Sequence, residues 1–255
     1  MIPLPLIALL LGVVEGITEF LPISSTGHLI LAARLCGLDG PRAEVFEIFI
    51  QLGAVLAVVV EYRAKLVRQG LSLAVPVAIA FLPAAVLGLA THHWISEHLF
   101  GPRTVAAALI AGALLILAVE RWKPLPVIER AEEAGALRAG LIGLAQCASL
   151  WPGFSRSAAT ILGGLLCGLR RSAATEFSFF LAIPTLGAAS VYDLIKKHDA
   201  LVAGDLPWLL VATAVSFVVA WAAIRWLLRF VATHDLTPFA WYRIALGLLV
   251  WAALR

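Results

Sequence analysis

Residues 15–28 read Glu15-Gly-Ile-Thr-Glu19-Phe-Leu-Pro22-Ile-Ser24-Ser25-Thr26-Gly27-His28, a polar run inside a strongly apolar part of the chain. It is flanked by Leu9-Leu10-Leu11 and Leu29-Ile30-Leu31, so its polar groups are expected at membrane depth. An acidic side chain at the centre of a spanning helix costs roughly 2.5–3.5 kcal/mol or more. We therefore interpret this run as a functional site within a membrane protein.

The composition supports a membrane protein. Of the 255 residues, 62% are hydrophobic and 14% are charged, whereas about 25% of the residues of a soluble domain are charged. A spanning helix needs about 20 apolar residues, and such segments are predicted at 44–62, 72–92, 102–120, 176–195, 207–229 and 238–254. Two further segments, 3–38 and 138–168, are interrupted midway by proline and polar residues. The sequence predicts an all-α polytopic protein with about six transmembrane helices plus two re-entrant helix pairs, in a single integral domain over 1–255.

The second interrupted segment repeats features of the first. Aligning Pro22 with Pro152 also superposes Ser25 on a serine, and each interrupted segment is followed by three apolar spans. If each interrupted segment enters and leaves on one face, the second half must be inverted, as in inverted-topology repeats. Repeat 1 is expected at about 1–120 and repeat 2 at about 138–255. Irregular backbone is tolerated at this depth only where protein or a water-filled cavity satisfies it, so the two breaks should face each other.

Basic residues predict the orientation. One end of the predicted spans carries Arg63, Lys65, Arg68, Arg121, Lys123, Arg130, Arg138, Arg170, Arg171, Arg225 and Arg229, and the other carries Arg34, Arg42, Arg103, Lys196, Lys197 and Arg255. The positive-inside rule places the first set in the cytoplasm, so both termini and the open end of the first re-entrant pair should face outward. The net charge of +3 is too small and too dispersed to indicate a nucleic-acid partner.

Glu15 and Glu19 are the candidate metal ligands. If residues 6–21 are helical, both carboxylates lie on one face, one turn apart. Two carboxylates in a poorly solvated place can bind a divalent cation such as Mg²⁺ or Ca²⁺, or have their pKa values separated for acid and base catalysis. The spacing does not choose between these roles.

The residues after each break are typical of a helix start. Hydroxyl side chains at Ser24, Ser25 and Thr26 can cap exposed amides, and the Pro152–Ser155 stretch has the same character. A helix N-terminus presents unpaired N–H groups and the positive end of the helix dipole. Two such ends that converge would suit a pyrophosphate group.

Arg156 is the candidate anion ligand, because a guanidinium can bind phosphate oxygens through two hydrogen bonds and keeps its charge. The alternative is a structural partner for Glu15 or Glu19 across the interface of the repeats, and both roles could hold in different states.

Ser25 and His28 are three residues apart, near enough for a hydrogen bond if the second half-helix starts at the serines. Either a serine nucleophile with a histidine base or a histidine nucleophile oriented by the serine is compatible with this spacing. Gln51, in the apolar segment at 44–62, is expected either to line the site or to bond a neighbouring helix.

At these residues the chain resembles the undecaprenyl-diphosphate phosphatase family, the BacA bacitracin-resistance lipid phosphatases. The motifs that carry the resemblance are the run at 15–28 and Leu150-Trp-Pro-Gly-Phe-Ser155-Arg156-Ser157-Ala-Ala-Thr160. Two further segments, Phe46-Glu-Ile-Phe-Ile-Gln51-Leu-Gly-Ala and Glu176-Phe-Ser-Phe-Phe-Leu-Ala-Ile-Pro184, also match. Length and segment order agree over nearly the whole chain.

The resemblance implies a bacterial inner-membrane hydrolase that converts undecaprenyl diphosphate into the monophosphate carrier used in cell-wall synthesis, with bacitracin competing by sequestering the substrate. It implies a divalent cation and an active site that opens to the outer face. A homodimer is a separate expectation. The implied catalytic residues are Glu15, Glu19, Ser25, His28 and Arg156. The implied substrate ligands are Arg156, Ser24 and Thr26, and either Ser25 or His28 is the nucleophile. We further predict Ser155, Ser157, Thr160 and Gln51 as substrate ligands.

Two other functions are alternatives to hydrolysis of a lipid diphosphate. A transporter or flippase of polyprenyl phosphates could use the same inverted repeat, but would not need a nucleophile and a base beside an anion site. An intramembrane Ser–His protease would leave Arg156 and both glutamates without a role.

Overall fold

The computed structural model describes residues 2–38 and 40–253, and this part of the chain is helical with no β-strand. Its α-helices are α1 (Leu4–Thr18), α2 (Ser25–Cys36), α3 (Gly40–Gln69), α4 (Leu71–His98), α5 (Pro102–Trp122), α6 (Gly135–Gln146), α7 (Arg156–Leu166), α8 (Arg171–Lys196), α9 (Leu206–Thr233) and α10 (Thr237–Ala253). Short 3-10 turns lie at Ala131–Glu133, Cys147–Leu150, His198–Ala200 and Ala203–Asp205. The predicted all-α class is confirmed.

Five helices of the described residues are long and apolar enough to cross a membrane: α3, α4, α5, α8, and α9 together with the turn before it. They match five of the six predicted spans. The sixth corresponds to α10, of which 17 residues are described; its predicted end at 254 lies outside the described residues, as does Arg255. Several helices exceed their predicted ranges, because polar ends such as that of α3 continue the helix past the apolar zone.

The first interrupted segment forms two half-helices. α1 ends at Thr18, three residues before the expected residue 21, and the backbone amide of Glu19 still donates to the Glu15 carbonyl at 2.9 Å. Proline has no amide to continue the hydrogen-bond ladder and disfavours helix in the residue before it, which explains the break at Pro22. The Ser24 hydroxyl accepts from the Gly27 amide at 3.4 Å and caps α2.

In the second interrupted segment, the helix after the break is also capped by a serine. Ser155 caps α7 by accepting from the Ala158 amide at 3.2 Å. Both capping serines have positive φ, 72° at Ser24 and 78° at Ser155. Non-glycine residues keep such a conformation only where the surrounding structure holds it, and they concentrate at functional sites.

Each broken helix packs against helices of the other half of the chain. α1 packs along α9, α6 packs along α4, and α5 packs against α10. The close approach of α1 to α9 requires a glycine at position 16, where a Cβ would lie 2.7 Å from the Val219 Cβ and 2.9 Å from the Ser216 carbonyl oxygen. Each broken helix therefore rests on a span of the other half, although the repeat boundaries at 1–120 and 138–255 stay a prediction.

Aromatic packing holds the first break in place. Phe20 is fully buried and meets Phe179 of α8 edge to face, with ring centroids 5.4 Å apart. Tyr62 of α3 packs against Phe180 in the same way at 4.9 Å. Aromatic pairs of this kind favour defined ring geometry. They therefore fix Phe20 of the first break against α8, and α8 against α3.

Candidate active site

Glu19 joins the two breaks. Its Oε2 accepts a hydrogen bond from the Ser25 hydroxyl at 2.6 Å, and its Oε1 accepts from Arg156 Nη2 at 3.0 Å. The side chains of Arg156 and Glu19 are 7% and 5% exposed. A carboxylate thus links a hydroxyl of the first half to a guanidinium of the second, and charge-assisted bonds of this kind are the strong ones.

Arg156 retains unused hydrogen-bonding capacity. Its Nη1 donates to the Ser178 carbonyl at 3.0 Å and to the Ser178 hydroxyl at 3.3 Å, while its buried Nε has no hydrogen-bond partner in the described structure. The ion pair with Glu19 is the structural partnership that the sequence offered as an alternative role of Arg156. The free Nε leaves a donor for a ligand oxygen.

Glu15 lies one helical turn before Glu19 and is 1% exposed. Its Oε2 is buried and has no hydrogen-bond partner among the described residues. A buried carboxylate oxygen without a partner is costly, so this atom is suited to accept a cation or a proton. Within residues 2–38 and 40–253 no group of three or more His, Cys, Asp and Glu side chains could hold a metal.

His28 faces α10 instead of Ser25. Its Nδ1 lies 2.7 Å from the Ser24 carbonyl oxygen and its Nε2 lies 2.7 Å from the Tyr242 hydroxyl. A carbonyl only accepts, so Nδ1 carries the proton, and in the neutral ring Nε2 accepts from the tyrosine. The His28 and Tyr242 rings are nearly parallel, with centroids 5.6 Å apart.

The expected hydrogen bond between Ser25 and His28 is therefore absent from this structure. Ser25 is the first residue of α2 and reaches back to the end of α1, where a carboxylate is the stronger acceptor. The side chain of His28, one turn further on, has both ring nitrogens occupied by other partners.

Three of the predicted substrate ligands, Ser155, Ser157 and Thr160, bond to other protein groups in this structure. Ser157 donates to the Leu21 carbonyl at 2.8 Å and lies 3.0 Å from the Ser155 hydroxyl. Thr160 donates to the Ser178 hydroxyl at 2.7 Å. Ser157 and Thr160 are 0% and 1% exposed, so they stabilise the turns in this structure, and contact with a substrate stays a prediction.

The remaining predicted ligands have different environments. Gln51 accepts from Ser190 of α8 at 2.8 Å, which matches the alternative of a bond to a neighbouring helix. Ser24 uses its hydroxyl as the cap of α2. Thr26 is half-buried at the start of α2, next to Ser25.

Sequence reasoning missed Ser178, Tyr242 and Arg243. Arg243 is the largest fully buried side chain of the described structure, and it lies inside the segment predicted as the last span. An ionisable residue within an apolar span indicates a functional site, so the sequence alone could have predicted a role for this arginine. The roles of Ser178 and Tyr242 depend on contacts between distant elements, which no local pattern reveals.

The arrangement can support transfer of a phosphoryl group. A hydroxyl bonded to a carboxylate is an activated nucleophile. The guanidinium and two capped helix N-termini supply positive potential for phosphate oxygens. These groups meet at the two breaks, between half-helices that are too short to span a membrane alone.

Comparison with known proteins agrees with this arrangement. The family model described as bacitracin resistance protein BacA matches residues 8–249. Undecaprenyl-diphosphatase 1 of Chromobacterium violaceum is 54% identical over 253 residues, which cover 95% of this chain and 94% of the relative. The undecaprenyl-diphosphatases of Dechloromonas aromatica and Sorangium cellulosum are 52% and 54% identical, over 96% and 95% of this chain and 93% and 84% of the relatives. With a family match over residues 8–249 and relatives about half identical along nearly its whole length, the chain belongs to the BacA family.

Proposed function

We propose that this protein hydrolyses undecaprenyl diphosphate to undecaprenyl phosphate and inorganic phosphate, which recycles the lipid carrier of cell-wall polymers and confers bacitracin resistance. Support comes from the family match and from relatives about half identical to it that are named for this activity. The observation that carries the proposal is the contact of Glu19 with Ser25 on one carboxylate oxygen and Arg156 on the other. A carrier of polyprenyl phosphates would not need this pair of nucleophile and base.

In the first step, the Ser25 oxygen attacks the terminal phosphorus. The serine proton passes to Glu19 Oε2, 2.6 Å away, and the bond between that phosphorus and the bridging oxygen breaks. The bridging oxygen keeps the electron pair and leaves with undecaprenyl phosphate. Arg156 binds non-bridging oxygens and stabilises the charge that spreads over them in the transition state.

In the second step, water attacks the phosphoserine. The bond from phosphorus to the Ser25 oxygen breaks, and the serine oxygen takes back the proton held by Glu19. Inorganic phosphate leaves with the oxygen and both protons of the water. His28 takes no part in either proton transfer, because its two nitrogens are held by Ser24 and Tyr242. Serine is therefore the nucleophile we propose.

A divalent cation, Mg²⁺ or Ca²⁺, fits beside Glu15 and Glu19. The buried, unpartnered Oε2 of Glu15 is the protein oxygen available to it, while both oxygens of Glu19 already have protein partners. One available carboxylate oxygen leaves most of the coordination shell to water and substrate phosphates, which is the pattern typical of Mg²⁺. When bound, the cation neutralises negative charge on the diphosphate.

The location that fits this activity is the bacterial inner membrane with the first re-entrant pair open to the outer face. Basic residues at the ends of α3 and α5, such as Arg63, Lys65 and Arg121, support this orientation through the positive-inside rule. On this face the enzyme would meet substrate that bacitracin can sequester.

The test is phosphate release by the purified protein in detergent, with a C55 or C15 polyprenyl diphosphate as substrate. Wild type should release phosphate with Mg²⁺ or Ca²⁺ and lose this activity with EDTA. Ser25→Ala should abolish release, whereas Ser72→Ala, at an exposed serine near the start of α4, should match wild type. No release by wild type with any cation would overturn the activity, and full activity in EDTA would overturn the cation proposal alone.

A further inference from the structure

Arg243 of α10 is a fully buried charge whose partners are main-chain carbonyls. Its guanidinium donates to the carbonyl oxygens of Pro22 at 3.2 Å, Ala108 at 3.3 Å, Leu109 at 3.2 Å, Gly153 at 3.2 Å and Phe154 at 2.7 Å. A buried cation is strongly destabilising unless its donors are satisfied. The five carbonyls accept from Nε, Nη1 and Nη2, so each guanidinium nitrogen has at least one acceptor. No step of the proposed reaction uses these bonds.

The acceptors of Arg243 belong to three separate elements. Pro22 lies in the first break, Gly153 and Phe154 lie in the second break, and the other two carbonyls belong to α5. One planar guanidinium thus connects both turns to a spanning helix. Its rigid fork of donors can fix the directions of several acceptors at once, which a lysine ammonium cannot do.

These bonds also determine how the turn peptides are oriented. The C=O and N–H of a trans peptide point in opposite directions. The Phe154 carbonyl points towards Arg243, to which it is hydrogen-bonded. The N–H of Ser155, in the same peptide group, therefore points away from Arg243. Ser155 and Ser24 then cap α7 and α2 with positive φ, a conformation that needs support from its surroundings.

We propose that Arg243 is a positioning residue for phosphoryl transfer, because it sets the separation and orientation of the two helix N-termini without touching the substrate. This inference rests on the proposed phosphatase activity. The two N-termini carry Ser25 and Arg156, the groups that must meet one phosphate, so a displacement of one turn relative to the other lowers the rate of the chemical step.

Gly112 of α5 offers a way to displace the guanidinium without removing its charge. A Cβ at Gly112 would overlap Arg243 Nη2 and would lie 2.8 Å from Cζ and 3.0 Å from the Phe154 carbonyl oxygen. Alanine favours the helical conformation more than glycine does, so Gly112→Ala preserves α5 while pushing Arg243 away from its acceptors.

The experiment compares Arg243→Lys and Gly112→Ala with two matched controls, by kcat and KM for farnesyl diphosphate, thermal unfolding and gel filtration. The control Gly140→Ala adds a methyl group that would meet only an ordinary contact, 3.8 Å from the Ile79 Cγ2. The control Arg225→Lys changes a half-exposed arginine paired with Glu61. Because a misplacement of about 1 Å can cost about 100-fold in rate, kcat should fall about 10- to 100-fold in both test variants while KM changes little.

Each outcome decides the question. Wild-type kcat in either folded test variant would overturn the proposal, and failure of both variants to fold would show a role in folding alone and overturn it as well. A wild-type kcat in Arg243→Lys together with a lowered kcat in Gly112→Ala would show that a positive charge at this place suffices without the guanidinium. That result would also overturn the proposal. Inactive wild type would instead contradict the phosphatase activity.

Discussion

At the scale of single residues, the site depends on which partner each polar group takes. Glu19 divides its two oxygens between Ser25 and Arg156, while His28 is held by Ser24 and Tyr242. The same residue types could have formed a Ser–His pair. We propose the Glu19 carboxylate as the base, because it is the group within hydrogen-bond distance of the serine hydroxyl.

Glu19→Gln should lower kcat by about 100-fold or more, since general-base catalysis contributes roughly 100- to 10,000-fold. The amide cannot take the serine proton. The measurement is phosphate release per folded protein, with Glu129→Gln at an exposed carboxylate as the matched control. A folded Glu19→Gln enzyme within a few-fold of wild type would contradict the assigned role.

The trapped intermediate should be a phosphoserine. Rapid acid quench of enzyme turning over a terminally labelled substrate should leave acid-stable label on Ser25, because the nitrogens of His28 are occupied. Tyr242→Phe frees His28 Nε2 and should still give the acid-stable label. An acid-labile phosphohistidine in wild type would make His28 the nucleophile.

At the scale of helices, the position of the breaks depends on close contact between spans. α3 lies against α9 where Gly53 faces the backbone of Thr213 and Phe217. A Cβ at Gly53 would overlap the Thr213 carbonyl oxygen and would lie 3.2 Å from the Phe217 amide nitrogen. Backbone atoms cannot move aside as a flexible side chain can.

Gly53→Ala should therefore destabilise the protein by about 1–3 kcal/mol, the usual cost of overpacking a core. Thermal unfolding in detergent measures the change. Gly140→Ala, whose new methyl meets Ile79 at 3.8 Å, should unfold at nearly the wild-type temperature. Equal unfolding temperatures for both variants would show that α3 and α9 are not closely packed in the membrane.

At the scale of the whole molecule, the described chain places two half-helix starts against each other inside a shell of longer helices. Their N-termini lie at the breaks, which are joined by the Arg156–Glu19 ion pair and by the hydrogen bond from Ser157 to the Leu21 carbonyl. Such irregular backbone is stable in a bilayer only because protein groups, Arg243 among them, bind its carbonyls.

The proposed orientation can be checked by cysteine labelling. After replacement of Cys36, Cys147 and Cys167 by alanine, Asp199→Cys should react with an impermeant maleimide in intact spheroplasts, because this exposed residue lies on the proposed outer face. Glu129→Cys, exposed between α5 and α6, should react only after lysis. The reverse pattern would invert the orientation.

Much of the fold and part of the site follow from local sequence. Polar residues at membrane depth predicted both breaks, and the Pro22–Thr26 stretch predicted a helix start at the serines. α2 begins at Ser25. These features depend on neighbours within one turn, so a pattern of residues suffices to predict them. The lengths of α3 and α4 were underestimated, because helix continues where hydropathy ends.

The sequence by itself determined that this is a helical membrane protein with two interrupted segments that carry Glu15, Glu19, Ser25 and Arg156. Only the tertiary structure decided that Ser25 bonds to Glu19, that Gln51 bonds to Ser190, and that Arg243 holds both turns. The physical reason is that helix geometry limits which side chains share a face, whereas a hydrogen-bond partner is selected by distance and direction between elements far apart in the chain.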